Sequence, residues 1–262
     1  MPRLYGFDLY LAPDFRYSTA MRKIFIADAH LKRETDANYR RLLEFLAGLA
    51  GNTETLFILG DLFEFWIGYR TVPFTHYFPV LEELQRLVAA GVEIVYCEGN
   101  HDFHMGPFFE ETLRARVFRG PTTVELDGKR VYLCHGDQIN ARDYGYRLLR
   151  FLMHNRLAGA SVPLIPPAFI SIIAERMGRQ SRRGHDQRRF KWDYPAILRA
   201  FAAARFREGY DVVVAGHFHL PLLETATDGT GGTLLALGDW ITHFTYGEWA
   251  DGKLSLKTFT GR

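Results

Sequence analysis

The sequence of 262 residues predicts an α/β protein, and the first half of the chain predicts a mostly parallel sheet. Apolar, β-branched runs alternate with stretches in which apolar residues recur at helical spacing, which is the pattern of successive βαβ units. The strand-like runs also end, one after another, in short polar loops. Ligands of sheets in this class usually bind at the carboxyl ends of the strands, so these loops are the first place to look for a site.

The first half of the chain carries three predicted strands with two predicted helices between them. The strands are residues 23–27, 55–59 and 92–97, and the helices are residues 38–50 and about 75–90. The first helix is predicted by Leu42, Leu46 and Leu49, whose spacing places them on one helix face.

The second half begins with a predicted β-hairpin. Residues 122–126 and 130–134 flank Asp127 and Gly128, which form a strong turn signal. Residues 141–208 are then predicted to be largely helical, although prolines interrupt them. Four short strands are predicted after that point, at residues 211–215, 234–237, 242–246 and 254–259.

The composition is that of an ordinary globular protein. The chain has 32 basic and 30 acidic residues, a net charge of +2, whereas domains that bind nucleic acid are usually strongly basic. We therefore predict no nucleic-acid partner. The two cysteines, Cys97 and Cys134, lie in strand-like runs, which predicts buried thiols in a reducing compartment rather than a disulfide.

One uncharged segment, residues 157–174, has the length at which a membrane-spanning helix becomes a candidate. Pro163, Pro166 and Pro167 near its middle break such a helix, so we interpret the segment as an apolar lid. Residues 1–20 lack the pattern of a signal peptide and are predicted to be an N-terminal extension of unassigned role. Residues 21–262 are predicted to form a single domain.

Metal-ligand side chains follow five of the predicted strands. The loops are Asp28-Ala29-His30, Gly60-Asp61, Gly99-Asn100-His101-Asp102, His135-Gly136-Asp137 and Gly216-His217-Phe218-His219. Most of these motifs, taken singly, are ordinary turn sequences. Their joint occurrence at successive strand ends predicts that they converge on one site.

The types of side chain in these loops indicate the metal chemistry. Carboxylates, imidazoles and one amide oxygen, without a thiolate, suit Mn²⁺, Fe²⁺ or Zn²⁺. A carboxylate shared by two such ions, roughly 3.5–4 Å apart, is the arrangement that clamps a displacement at phosphorus. We expect two divalent ions, with Mn²⁺ as the first choice.

The order of these motifs resembles that of the calcineurin-like metallophosphoesterase superfamily. The resemblance implies a four-layer α-β-β-α sandwich in which two mixed sheets lie face to face. It also implies two sets of metal ligands that share Asp61. One set is Asp28, His30, Asp61 and His219, and the other is Asp61, Asn100, His135 and His217. The resemblance further implies catalytic roles for His101, as cationic stabiliser or general acid, and for Asp102, as an orienting carboxylate.

Longer motifs are similar to one family within the superfamily, the UDP-2,3-diacylglucosamine diphosphatases. They are GDLFEFWIG (residues 60–68), HGDQINARDYGYR (135–147) and LGDW (237–240). This resemblance implies hydrolysis of the pyrophosphate of a lipid-linked nucleotide to UMP and 2,3-diacylglucosamine 1-phosphate, as a step of lipid A synthesis. It also implies a helical lid at about residues 145–195. The expected substrate contacts are Asn100, Asp143, Ser181, Arg182 and Arg188.

The predicted lid also has a charge pattern that suits such a substrate. Residues 176–191 hold seven cations and one acid, directly after the apolar segment. This pattern fits a diphosphate with acyl chains, or an anionic membrane surface, although a solvated amphipathic helix would look similar. We expect a cytoplasmic protein bound peripherally to the inner membrane, without an obligate protein partner.

Two departures from the family keep other functions open. The family commonly has GNRDF and HGHTH where this chain has GNHDF, with His101, and AGHFH. A metallophosphoesterase acting on a soluble nucleotide or phosphoester is the main alternative. A non-catalytic scaffold is a weaker one, because all seven expected ligands are present.

Overall fold

A computed structural model describes residues 21–69, 74–142, 144–153, 155, 192–227 and 229–261. The strands in these residues are β1 (Arg22–Ile26), β2 (Thr53–Ile58), β3 (Trp66–Ile67), β4 (Glu93–Cys97), β5 (Asp102–Phe103), β6 (Arg116–Phe118), β7 (Thr122–Leu126), β8 (Lys129–Cys134), β9 (Val212–Ala215), β10 (Pro221–Thr225), β11 (Thr233–Leu237), β12 (Thr245–Ala250) and β13 (Lys253–Thr258). The helices are α1 (Ala37–Ala47), α2 (Phe78–Ala89), α3 (Tyr144–Met153) and α4 (Tyr194–Arg207), with a 3₁₀ turn at Thr75–Tyr77 and a π-helical turn at Phe108–Thr112.

The strands form two larger mixed sheets and one small parallel pair, β3 with β5. The first sheet has the order β13-β12-β1-β2-β4-β6, and the second has the order β10-β11-β9-β8-β7. Strands β1, β2, β4 and β6 run parallel, as do β8, β9 and β11, and antiparallel strands extend both groups. The parallel arrangement predicted for the strands of the first half of the chain is confirmed in β1, β2 and β4, and the antiparallel strands make both sheets mixed, as the family resemblance implies. The chain reverses locally at hairpins such as β12–β13 and β7–β8, which add antiparallel edges.

Alternate residues of each sheet face different layers, because side chains along a strand point to opposite faces. Phe25 and Phe57 of the first sheet pack with Leu133 and Val214 of the second in one buried cluster. The opposite face of the first sheet packs with α1 and α2, and that of the second sheet packs with α4. The layers are therefore helices, sheet, sheet and helix, which confirms the predicted four-layer sandwich.

One predicted strand, residues 242–246, is displaced. Thr242 and His243 lie in a turn, because the Asp239 carboxylate accepts hydrogen bonds from the backbone N–H groups of Ile241, Thr242 and His243. Strand β12 starts only at Thr245. The short strands β3, β5, β6 and β10 were not predicted; β3 and β5 pair with each other across more than 30 residues of chain, whereas β10 pairs with the next strand, β11.

Several predictions concern residues outside the described part of the chain. They are the extension at residues 1–20, most of the lid at about 145–195, and the substrate contacts Asp143, Ser181, Arg182 and Arg188. Helix α3 and the start of α4 are described helical parts of the predicted insertion. Among the described residues, no helix has the length and apolar character needed to cross a bilayer. Cys97 and Cys134 are buried free thiols, as predicted.

Candidate metal centre

The loops that follow β1, β2, β4, β8 and β9 meet at one edge of the two sheets. The backbone joins them directly, since Asp28 donates its N–H to Gly60 O over 3.1 Å and His30 donates to Asp61 O over 2.9 Å. Gly216 N likewise donates to His135 O over 2.8 Å. Side chains far apart in the sequence are therefore held together at this edge.

Most of the expected ligands have a strained backbone. Five of the seven have positive φ: Asp28 (55°), His30 (44°), Asp61 (54°), His217 (69°) and His219 (50°). Such conformations are uncommon for residues with a side chain and cost about 1–3 kcal/mol each. Their concentration here indicates that orienting these side chains toward the site lowers the stability of the fold.

A glycine makes the close approach of two of these loops feasible. A Cβ added to Gly99 would lie 2.2 Å from Asp61 Oδ1 and 2.9 Å from Asp102 Oδ1. No side chain fits at that position without displacing the Asp61 carboxylate. The Gly-Asp and Gly-Asn pairs in the sequence therefore reflect packing of one loop against another.

The first group of candidate ligands is Asp28, His30 and His219, which can each offer an atom within 4.8 Å of the others. Asp28 Oδ1 lies 3.9 Å from His30 Nε2 and 3.6 Å from His219 Nε2. Asp61 Oδ2 lies 3.6 Å from His30 Nε2. These distances are compatible with one cation held among four side chains.

The second group is Asp61, His135 and His217, whose ligand atoms also lie within 4.8 Å of one another. His135 Nε2 lies 3.4 Å from Asp61 Oδ2 and 3.0 Å from Asn100 Oδ1. Asp61 therefore contacts members of both groups through the same oxygen. This is the arrangement that a bridging carboxylate requires.

The burial and hydrogen bonding of the Asp28 carboxylate indicate that the site suits a cation. Its side chain is fully buried, and Oδ2 accepts a hydrogen bond from His217 N over 2.7 Å. Oδ1 is buried without a hydrogen-bond partner among the described residues. Burial raises the pKa of Asp28 to about 7. An inward-facing carboxylate oxygen of this kind is costly unless a cation meets it.

The two sides of the second group also carry complementary charge. Burial disfavours the positive charge of His135 and the negative charge of Asp61. The Asp61 carboxylate nevertheless raises the pKa of His135 to about 10. His135 and His101 in turn hold the pKa of Asp61 well below its usual range. His135 Nδ1 lies 2.8 Å from the backbone oxygen of Leu59, which leaves Nε2 aimed at Asp61.

His101 and Asp102 have different surroundings. His101 is buried, its backbone N–H donates to Asp61 Oδ1 over 2.8 Å, and its Nδ1 lies 2.7 Å from Glu64 O. Asp102 accepts from the backbone N–H groups of Asp61, Leu62 and Gly99 and from the hydroxyl of Tyr96. Asp102 therefore orients the loop that carries the shared ligand.

Two carboxylates near the histidines were missed in the sequence. Glu64 Oε2 lies 3.7 Å from His30 Nδ1, and Asp239 Oδ2 lies 3.7 Å from His219 Nδ1. Burial raises the pKa of Glu64 to about 7. For Asp239 burial acts in the same direction, but bonds from His219, Thr242 and His243 keep its pKa well below the usual range. Both residues lie in motifs already quoted, GDLFEFWIG and LGDW, but nothing in the sequence showed which way they face.

The fold and the site define a class of protein, and comparison with known families gives the same class. The family model for calcineurin-like phosphoesterases matches residues 21–221. The chain belongs to this family of metallophosphoesterases. It is a metal-dependent hydrolase, in a family whose members use divalent metal ions.

Several curated relatives of this chain are named UDP-2,3-diacylglucosamine hydrolase. The UDP-2,3-diacylglucosamine hydrolase of Stutzerimonas stutzeri (strain A1501) is 33% identical over 228 residues, which cover 83% of this chain and 90% of that protein. The enzyme of the same name from Pseudomonas putida (strain F1) is 31% identical with the same coverage. Among solved structures, Vps29 of Chaetomium thermophilum is 13% identical, with a TM-score of 0.42 over 94% of this chain and all of that one.

Proposed function

We propose that this protein hydrolyses the pyrophosphate bond of UDP-2,3-diacylglucosamine to UMP and 2,3-diacylglucosamine 1-phosphate, a step of lipid A synthesis. One observation carries the proposal. Buried and strained side chains that suit two cations sharing Asp61 converge at the strand ends of a chain whose curated relatives have this activity in their name. The expected ligands are Asp28, His30, Asp61, Asn100, His135, His217 and His219.

The chemistry follows from the bond to be broken. Divalent cations at such a site acidify water and stabilise negative charge at phosphorus. In the proposed reaction a water oxygen attacks the α-phosphorus, and the bond from this phosphorus to the bridging oxygen breaks. The water oxygen ends in UMP, and the bridging oxygen leaves with the sugar phosphate. We propose that Asn100, whose Oδ1 lies 3.0 Å from His135 Nε2, contacts both a cation and a phosphoryl oxygen.

His101 is the residue we assign to the leaving group. The bridging oxygen leaves with extra negative charge, which a nearby proton donor or cation stabilises. His101 Nδ1 is engaged with Glu64 O, so we assign this role to Nε2. Asp102 is a positioning residue, because its bonds hold the backbone on either side of Asp61.

The start of the proposed lid supports a substrate with acyl chains. Helix α3 exposes Tyr144 (77%), Phe151 (71%) and Leu152 (55%), an unusual density of exposed apolar side chains. Arg150 of the same helix bonds Asp137 Oδ2 over 2.5 Å, which ties α3 to the loop of His135. The lid proper, with Asp143, Ser181, Arg182 and Arg188 as substrate contacts, remains part of the proposal.

A cleft lies between α3 and the metal-binding loop. It has a volume of about 120 Å³, and His135, Asp137, Arg150 and Glu98 are among the residues that line it. We propose Mn²⁺ as the metal, with Fe²⁺ or Zn²⁺ as alternatives. We also propose that the protein is cytoplasmic and bound peripherally to the inner membrane. Failure to bind anionic vesicles at low salt would contradict the membrane assignment.

The substrate assignment predicts strong discrimination by acyl chains. UDP-2,3-diacylglucosamine and UDP-glucosamine share the pyrophosphate, so the metal centre should interact equally with both. Each methylene of an acyl chain that is buried in the complex stabilises it by about 0.8 kcal/mol. Burial of only four methylenes therefore raises kcat/KM by more than about 100-fold. We expect kcat/KM for the diacylated substrate to be higher by at least about 100-fold, measured as UMP release with Mn²⁺.

The alternatives give different results in the same assay. Equal kcat/KM for the two nucleotides would contradict the lipid assignment and favour a soluble nucleotide or phosphoester substrate. No release of UMP from either, together with less than one bound ion after reconstitution, would favour a non-catalytic scaffold.

A further inference from the structure

Two of the proposed ligand histidines have a carboxylate at each end of the ring. The inner nitrogen of His219, Nε2, lies 3.6 Å from Asp28 Oδ1, and its outer nitrogen lies 3.7 Å from Asp239 Oδ2. His30 repeats this arrangement, with Nε2 3.6 Å from Asp61 Oδ2. Its Nδ1 lies 3.7 Å from a Glu64 oxygen. The two rings stack with centroids 5.2 Å apart and an interplanar angle of 24°.

The Asp239 carboxylate is fixed by its own turn. It accepts from the backbone N–H groups of Ile241 and Thr242, from the Thr242 hydroxyl and from His243, whose Nδ1 lies 2.7 Å from Oδ2. Trp240 N donates to Asp28 O over 3.1 Å, which joins this turn to the first metal-binding loop. A carboxylate held in this way can fix the ring orientation of His219.

Glu64 has a similar place behind His30, with one difference. Its other oxygen lies 3.1 Å from Lys32 Nζ, so its charge is shared with a cation. We therefore expect Glu64 to act more weakly than Asp239.

In the other proposed metal position, His135 differs from His219 and His30 in its outer contact. His135 Nδ1 faces the backbone oxygen of Leu59, which is neutral. A carboxylate behind a ligand histidine raises the basicity of the ring more than a neutral carbonyl does, and removal of such a partner typically lowers metal affinity by about 10- to 100-fold.

We propose that Asp239 and Glu64 are positioning residues that hold His219 and His30 toward one metal position and make it the tighter of the two. This inference rests on the proposed metal centre, but not on the identity of the substrate. It assigns a function to two side chains that lie outside the expected ligand set.

The test measures metal binding without turnover. The full chain is stripped of metal with a chelator and titrated with Mn²⁺ by calorimetry, with His219→Ala and His135→Ala used to assign the binding steps. We expect two steps, of which His219→Ala removes the tighter. Asp239→Asn should weaken that step by about 10- to 100-fold and Glu64→Gln by less, while the weaker step changes by less than about threefold.

Matched controls keep each carboxylate and change one neighbour. Thr242→Val removes the hydroxyl bond to Asp239 but keeps the backbone bonds from Ile241 and Thr242, so the tighter step should stay within about threefold of the parent value. Lys32→Met removes the cation beside Glu64, so the tighter step should be unchanged or stronger. Thermal unfolding of each metal-free variant checks that the chain is folded, and Glu64→Gln tests the inference independently if Asp239→Asn does not fold.

The outcomes separate this inference from the proposed function. Two intact steps in which neither Asp239→Asn nor Glu64→Gln weakens the tighter one would overturn the positioning roles and leave the metal centre standing. If His135→Ala instead removes the tighter step, the assigned order is wrong. The absence of both steps in the parent chain would overturn the proposed metal centre itself.

Discussion

Replacement of Asp61 by asparagine is expected to lower kcat/KM by at least about 1000-fold. Asp61 Oδ2 contacts His30 of one ligand group and His135 of the other, and an amide is a much weaker ligand than a carboxylate. A loss of about 1000-fold corresponds to roughly 4 kcal/mol of transition-state stabilisation, the scale expected when the metal contribution to charge stabilisation is lost. Steady-state release of UMP and elemental analysis of bound metal measure the effect.

Asparagine retains the shape of Asp61 and its ability to accept the bond from His101 N, so the fold should survive. Asp127→Asn is the matched control. Asp127 lies at the tip of the β7–β8 hairpin and accepts from Trp249 Nε1, so the same chemical change there should leave activity nearly unaltered. An Asp61→Asn variant with two bound ions and parental kcat/KM would refute the bridging role.

Removal of the His101 ring is expected to lower kcat by about 100-fold or more, the usual contribution of general acid catalysis. The loss should appear with UDP-2,3-diacylglucosamine, whose leaving group needs a proton. It should be much smaller with bis(4-nitrophenyl) phosphate, because nitrophenolate is stable without one. Parallel kinetics of His101→Ala on the two substrates measure the difference.

His101→Asn separates the two nitrogens of the ring. Its amide can still donate to Glu64 O in place of Nδ1, but it has no group in the place of Nε2. We expect His101→Asn to be as slow as His101→Ala on the natural leaving group. A His101→Asn variant with parental kcat would show that His101 only supports the loop, and our assignment to the leaving group would then be wrong.

The candidate site was largely predictable because its residues follow strands directly. Once Phe25 and Phe57 are recognised as residues of buried parallel strands, Asp28 and Asp61 must lie at the same edge of the sheet. This inference needs only the direction of each strand. It requires neither the register of pairing nor the rotamers of the side chains.

The remaining features depend on contacts between distant parts of the chain. Residues 242–246 have a strand-like composition, but the hydrogen bonds of Asp239 hold Thr242 and His243 in a turn. Glu64 appears in the sequence only as an acid after an apolar residue. Its position behind His30 follows from backbone hydrogen bonds between the two loops, such as Glu64 N to Leu31 O over 3.0 Å, which local sequence does not reveal.

The most direct test of the central claim is anomalous X-ray diffraction from crystals of the full chain grown with Mn²⁺. The claim is that two cations share Asp61, one beside Asp28, His30 and His219 and the other beside Asn100, His135 and His217. We predict two anomalous peaks roughly 3.5–4 Å apart, one on each side of the Asp61 carboxylate. A single peak at full metal loading, or peaks that do not flank Asp61, would contradict the account.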